Sequence, residues 1–103
     1  MAGIKVRWSA EARIDLLDIL DFYINRNGNT VYSHTLNSRI YKSIKLVAKN
    51  PFIGKNTDDP AVRAFISGDY QVIYEVFDNL ILIIMIWDCR RDSEDKILDK
   101  RKK

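Results

Sequence analysis

A single cysteine, Cys89, stands in the 103 residues, so no internal disulfide can hold the fold. A reducing compartment, the cytoplasm, is the expected home. There is one histidine, His34, and no second histidine or partnering carboxylate is implied beside it. Proton-transfer catalysis by a histidine pair is therefore not indicated, and His34 reads as a helix-surface residue. With four glycines and two prolines there is no glycine-rich phosphate loop, low-complexity tract or linker. Zinc-ligand spacing and a serine-hydrolase elbow are also missing. The longest apolar run, "LILIIMIW" (80–87), falls well short of the roughly 20 residues of a membrane helix. The start, "MAGIKVRWSAEAR", is broken by charges and is not read as a signal peptide. Neither sign of charge dominates: 17 Lys and Arg face 14 Asp and Glu, a net +3 that permits an anionic partner without requiring one.

What is present suits one small domain, 1–103, with 47% hydrophobic and 30% charged residues. "IKVRW" (4–8) alternates as a half-buried strand, with Lys5 and Arg7 outward. Ser9 offers an N-cap, and Gly28 suits the left-handed end of the helix between them. That helix shows a polar stripe at Glu11, Asp15, Asp18, Asp21 and Asn25. Its apolar face is read as Ile14, Leu17, Leu20 and Ile24, with Leu16, Ile19 and Tyr23 beside them. The aspartates lie on one side, as metal carboxylates can, but no His or Cys joins them and a solvated face is the simpler reading. A second helix, from about Asn29 or Thr30 to Lys49, buries Leu36, Ile40, Ile44 and Val47. "NPFIGKNTDDP" (50–60) reads as a loop. Strands are expected at 62–66, 70–77 and 80–87, and the tail is read as a short helix docking Ile97 and Leu98 before a frayed, charged end from about residue 99. The fold class is α+β, with order β-α-α-β-β-β and a helical hairpin on one face of a small antiparallel-rich sheet.

A two-residue turn at 78–79 pairs Phe77 with Leu80, and a three-residue turn at 67–69 pairs Ile66 with Tyr70. This register puts Val62, Ala64, Ile66, Met85 and Trp87 under the helices with Tyr70, Val72, Tyr74, Ile81 and Ile83. It puts Arg63, Phe65, Ile73, Phe77, Leu82, Ile84, Ile86, Asp88 and Arg90 on the other face. A last strand apolar on both sides implies cover on both sides, supplied on the second by the tail or by a partner docking on Ile73, Phe77, Leu82 and Ile84. Arg63, Arg90 and Arg91, with Lys55, Lys5 and Arg7, form a cation set suited to phosphate, and Phe65 or Phe77 could stack a base. Ordinary ion pairing explains the same spacing: Arg63 with Glu75, Arg90 with Asp88 or Asp92. Cys89 beside Arg90 lacks the partner a nucleophile needs.

The chain resembles the RelE/ParE superfamily of toxins from bacterial type II toxin–antitoxin modules, of the plasmid-stabilisation kind. The resemblance runs through "WSAEARIDLLDILDFY", "NPFIGK", "VRAFISGDYQVIYEV" and "NLILIIMIWDCRRDSEDKI". It implies an antitoxin that wraps the toxin and holds it inactive, with no cofactor and no metal. In the ribonuclease branch the helix-free face carries the site. There Arg63 matches the basic position on the first meander strand, Arg90 or Arg91 the one ending the last strand, and Lys55 more loosely the preceding lysines. That branch also places a Tyr or His near the C-terminus for proton transfer at the RNA 2′-OH. This chain has neither after Trp87. The resemblance therefore points to a ParE-like toxin acting on DNA gyrase without chemistry of its own. The alternatives are a ribosome-dependent mRNA endonuclease, metal-independent, and a degenerate member that only binds its antitoxin. DNA would be met only through the antitoxin complex.

Overall fold

Two capping residues frame the first helix. The Ser9 hydroxyl accepts the Ala12 N–H at 3.0 Å, and α1 runs over Ala10–Asn27. It ends at Gly28, whose φ of 73° is left-handed and whose N–H reaches the Ile24 carbonyl. The computed structural model describes residues 4–89. Arg90, Arg91 and the expected tail helix with Ile97 and Leu98 lie outside the described residues. The remaining elements are β1 (Lys5–Trp8), α2 (Val31–Lys49), β2 (Lys55–Asn56), β3 (Val62–Ser67), β4 (Tyr70–Val76) and β5 (Leu80–Asp88). The five strands form one mixed sheet in the order β1-β5-β4-β3-β2. β1 lies parallel to β5, and the other pairings are antiparallel. β2, two residues inside the expected loop, is a strand the sequence did not announce.

Both helices pack on one face, over Tyr70, Val72, Tyr74, Ile81, Ile83 and Ile86. From α2 come Leu36, Ile40, Ile44 and Val47, the stripe its periodicity predicts. From α1 come Ala12, Leu16, Ile19 and Tyr23, whereas Ile14 and Leu17 are 56% and 60% exposed. The buried stripe of α1 is thus rotated from the expected one. Apolar residues cover so much of this helix that its pattern does not select a side. A second, smaller cluster lies on the opposite face: Val62, Ala64, Ile73, Ile84 and Met85, with Trp87 against it.

Two departures in register decide which residues share a face. The β4–β5 turn is as expected, with the Phe77 N–H on the Leu80 carbonyl at 2.8 Å. The β3–β4 turn has two residues rather than three, because Ser67 pairs with Tyr70. Gly68 takes φ 60° while Asp69 stays out of the left-handed region, the pattern of a II′ turn. One residue of slip inverts β3. Arg63, opposite Tyr74, and Phe65, opposite Val72, therefore belong to the helix side. Val62, Ala64 and Ile66 belong to the other.

The second departure is a bulge in β5. Tyr74 pairs with Ile83 but Ile73 pairs with Met85, leaving Ile84 as the extra residue. Beyond it the alternation reverses. Ile86 and Asp88 point to the helix side, while Met85 and Trp87 point away. β1 stops opposite Ile83, so the outer half of β5 has a bare edge on that side. The start of α1 fills it. The Ser9 N–H donates to the Ile83 carbonyl (2.9 Å), the Ser9 hydroxyl donates to the Ile84 carbonyl (3.2 Å), and the Ile86 N–H donates to the Asp15 carboxylate (3.1 Å). Asp15 is a main-chain acceptor here, while Asp18 and Asp21 stay exposed.

Candidate functional site

Among the described residues the cation set does not converge. Lys5 and Arg7 are exposed on β1, level with Leu80 and Leu82 on the helix-free face. Lys55 is exposed on β2 at the opposite edge of the sheet. Four strand spacings separate those edges, roughly 19 Å. Arg63 and Phe65 are on the helix side for the reason given above, so the shared basic face does not form among the described residues. The expected Arg63–Glu75 pairing is absent too, because Glu75 sits opposite Val62 on the other face.

The open apolar patch is also different from expectation. Ile73 and Ile84 are 1% and 3% exposed in the single chain, so they are core rather than docking surface. Leu82 is half-buried, and Phe77 is 45% exposed. Of the four residues expected to meet a partner, only Leu82 and Phe77 reach solvent. His34 is exposed on α2, and Cys89 is exposed at the end of β5 with its sulfur 3.4 Å from the Gln71 amide nitrogen.

Arg63 instead joins a clamp on the loop after α2. Its Nη1 donates to the Gly54 carbonyl at 2.8 Å and to the Phe52 carbonyl at 3.3 Å. Its guanidinium carbon lies 4.8 Å from the centre of the Phe52 ring, a cation–π contact. Beside it the buried Tyr74 hydroxyl donates to the Pro51 carbonyl (2.8 Å) and accepts the Gly54 N–H (3.0 Å). Gly54 has no room for a side chain, since a Cβ there would lie 2.7 Å from the Tyr74 oxygen. Burial raises the Tyr74 pKa above the ordinary phenol value, and the Gly54 N–H and the Arg63 charge pull it back only in part. The phenol stays protonated at neutral pH. Next to this clamp a cavity of about 330 Å³ opens at the end of the sheet, lined by Ile4, Phe52, Pro60, Arg63, Val76, Phe77 and Asp78 among others.

A second polar group is buried at the other end of β5. The Asp88 carboxylate accepts the Tyr23 hydroxyl at 3.1 Å, and the hydroxyls of Tyr32 and Tyr70 lie 3.3 Å apart. Tyr23 also meets the Tyr32 ring edge-on at 5.0 Å. Burial, then bonding to Tyr32 and Tyr23, then the Asp88 charge push the Tyr70 phenol far above its usual range. Neither group shows in the pattern of polar and apolar residues. A signal existed: Tyr70 and Tyr74 lie on a strand face that must be buried, and a buried phenol needs a hydrogen-bond partner.

Residues 6–93 match the sequence family described as ParE toxin of type II toxin-antitoxin system, parDE. No curated protein sequence matches. Among solved structures, one from the chromosomal ParDE toxin–antitoxin system of P. aeruginosa superposes with a TM-score of 0.70 at 22% identity, covering 81% of this chain and 92% of that one. Another, from the toxin–antitoxin complex RelBE2 of Mycobacterium tuberculosis, gives 0.60 at 17% identity over 82% of this chain and 96% of that one. The first superposition shows that the fold described above is the fold of that neighbour. No helix among the described residues is long and apolar enough to cross a membrane. With the family match spanning nearly the whole described chain, the protein belongs to the ParE toxin family of type II toxin–antitoxin systems.

Proposed function

We propose that the chain is a ParE-like toxin, neutralised by a cognate antitoxin, that acts on DNA gyrase by binding rather than by bond chemistry. The family match over residues 6–93 carries this reading. The surroundings of Arg63 support it. Cutting RNA requires a group that takes the proton from a 2′-OH. The ionisable neighbour of Arg63 in the clamp is Tyr74, and its hydroxyl is buried, committed to the loop and held protonated. The antitoxin follows by likeness to the ParDE and RelBE2 systems, and Phe77 and Leu82 are the exposed or half-exposed apolar positions it would meet. Such partners would be met in the cytoplasm.

The test sets two assays side by side. Purified protein is added to gyrase supercoiling reactions and to ribosomes translating a defined mRNA, with Arg63→Ala beside it. Inhibited supercoiling with intact mRNA is the expected result. Codon-positioned cleavage that disappears in the variant would overturn the proposal in favour of a ribonuclease. A protein silent in both assays, and harmless when expressed without an antitoxin, would be a member that only binds its antitoxin.

A further inference from the structure

Two of the most exposed aromatic side chains, Phe52 (63%) and Phe77 (45%), stand on the same cavity at the end of the sheet. Arg63 lines it as well, half-buried and using only one corner of its fork. Both of its hydrogen bonds leave from Nη1, and among the described residues Nε and Nη2 have no acceptor. A half-buried guanidinium with two of its donor nitrogens unspent favours a bidentate oxygen ligand. Exposed aromatics around such a group are the usual anchors of a protein interface. The cavity, about 330 Å³, is at the small end of the range for ligand sites and suits one large side chain rather than a whole helix.

We propose that this cavity is a peptide-docking site, occupied by a segment of a partner protein that sets an apolar side chain against Phe52 and Phe77 and a neighbouring carboxylate on Arg63. Charge complementarity selects the occupant. Asp78 is also on the lining. A nucleic-acid strand would carry repeated phosphates past that carboxylate, whereas a peptide brings one negative group and a neutral backbone. The inference goes beyond the gyrase reading and does not rest on it, because the chemistry of the cavity is the same whichever target the toxin has.

N-acetyl-phenylalanine is the simplest probe, an apolar ring with an adjacent carboxylate. It is titrated into the ¹⁵N-labelled full chain, followed by amide shifts, beside N-acetyl-phenylalaninamide and a short uridine oligonucleotide. The acid should shift the amides of Ala61, Arg63, Phe77 and Asp78 with a dissociation constant on the order of millimolar. The uncharged amide should bind about tenfold more weakly, the loss expected for a charge-assisted bond. Phe77→Ala, a change at an exposed position, should abolish the shifts while the rest of the spectrum is kept. The inference is wrong if the acid and the amide bind equally, if the shifts map elsewhere, or if none is seen. Tighter binding of the oligonucleotide at the same amides would give the cavity to nucleic acid instead.

Discussion

Removing a single oxygen atom, in Tyr74→Phe, tests whether the loop after α2 is held by the clamp. The hydroxyl serves two main-chain groups, the Pro51 carbonyl at 2.8 Å and the Gly54 N–H at 3.0 Å. The Gly54 N–H is buried, and leaving such a donor unmet costs about 1–3 kcal/mol. Pro51 is only partly buried, so water recovers much of its bond. A net loss of about 2–3 kcal/mol follows, large against a total of roughly 5–15 kcal/mol for a domain. The thermal midpoint should fall by about 10–20 °C. A double-mutant cycle with Gly54→Ala makes the test specific. In the wild-type background the new Cβ meets the Tyr74 oxygen at 2.7 Å and Ala64 main-chain atoms at 3.1 Å. With the hydroxyl gone the first clash disappears. The double variant should therefore be more stable than the sum of the singles by about 1 kcal/mol. Urea denaturation gives all four values. A Tyr74→Phe cost below about 0.5 kcal/mol, or strict additivity, would refute the clamp.

Ile84→Asp should unfold the isolated chain, because it puts a charge into a side chain's space that is 3% exposed, at a cost of about 4 kcal/mol or more. Leu82→Asp, at a half-buried position beside Arg7, should cost about 1 kcal/mol. Circular dichroism melts compare the two, and equal midpoints would contradict the assignment of Ile84 to the core. Stability should also fall in alkali. Tyr70 and Tyr74 are both raised from the ordinary phenol value of 10.0, so the folded state keeps them neutral while the unfolded state ionises. That contribution is complete below pH 10 and is lost as pH climbs toward the folded-state values. Tyrosinate absorbance from these two residues should rise only together with unfolding, and titration of all five tyrosines in a chain still folded would count against it.

Local signals made the frame legible. Ser9 and Gly28 bound α1, the spacing of Leu36, Ile40, Ile44 and Val47 orients α2, and the Asp78–Asn79 turn fixes β4 against β5. What stayed hidden depends on features that leave little trace in a pattern of polar and apolar residues. Gly68 can open a two-residue turn as readily as it sits inside a three-residue one, and that choice moves Arg63 from one face to the other. β5 is apolar at every position from Leu80 to Trp87, so an extra residue anywhere in it leaves the pattern unchanged. The clamp was hidden for a different reason. It joins Tyr74 and Arg63 to main-chain atoms of Pro51, Phe52 and Gly54, and backbone partners have no residue type to recognise.

The extra residue at Ile84 gives β5 two reading frames. Before it the odd-numbered side chains, Ile81 and Ile83, meet the helices. After it the even-numbered ones, Ile86 and Asp88, do so. Asp88 reaches Tyr23 only because the frame has changed. A relative that shares the fold but lacks this insertion would present its last strand residues in the opposite phase, so that an acid at the matched position would point away from the tyrosines. Roles at the end of this strand can be carried between members of the family only after the residues along it have been counted, because position here is set by an odd or even number as much as by side-chain identity.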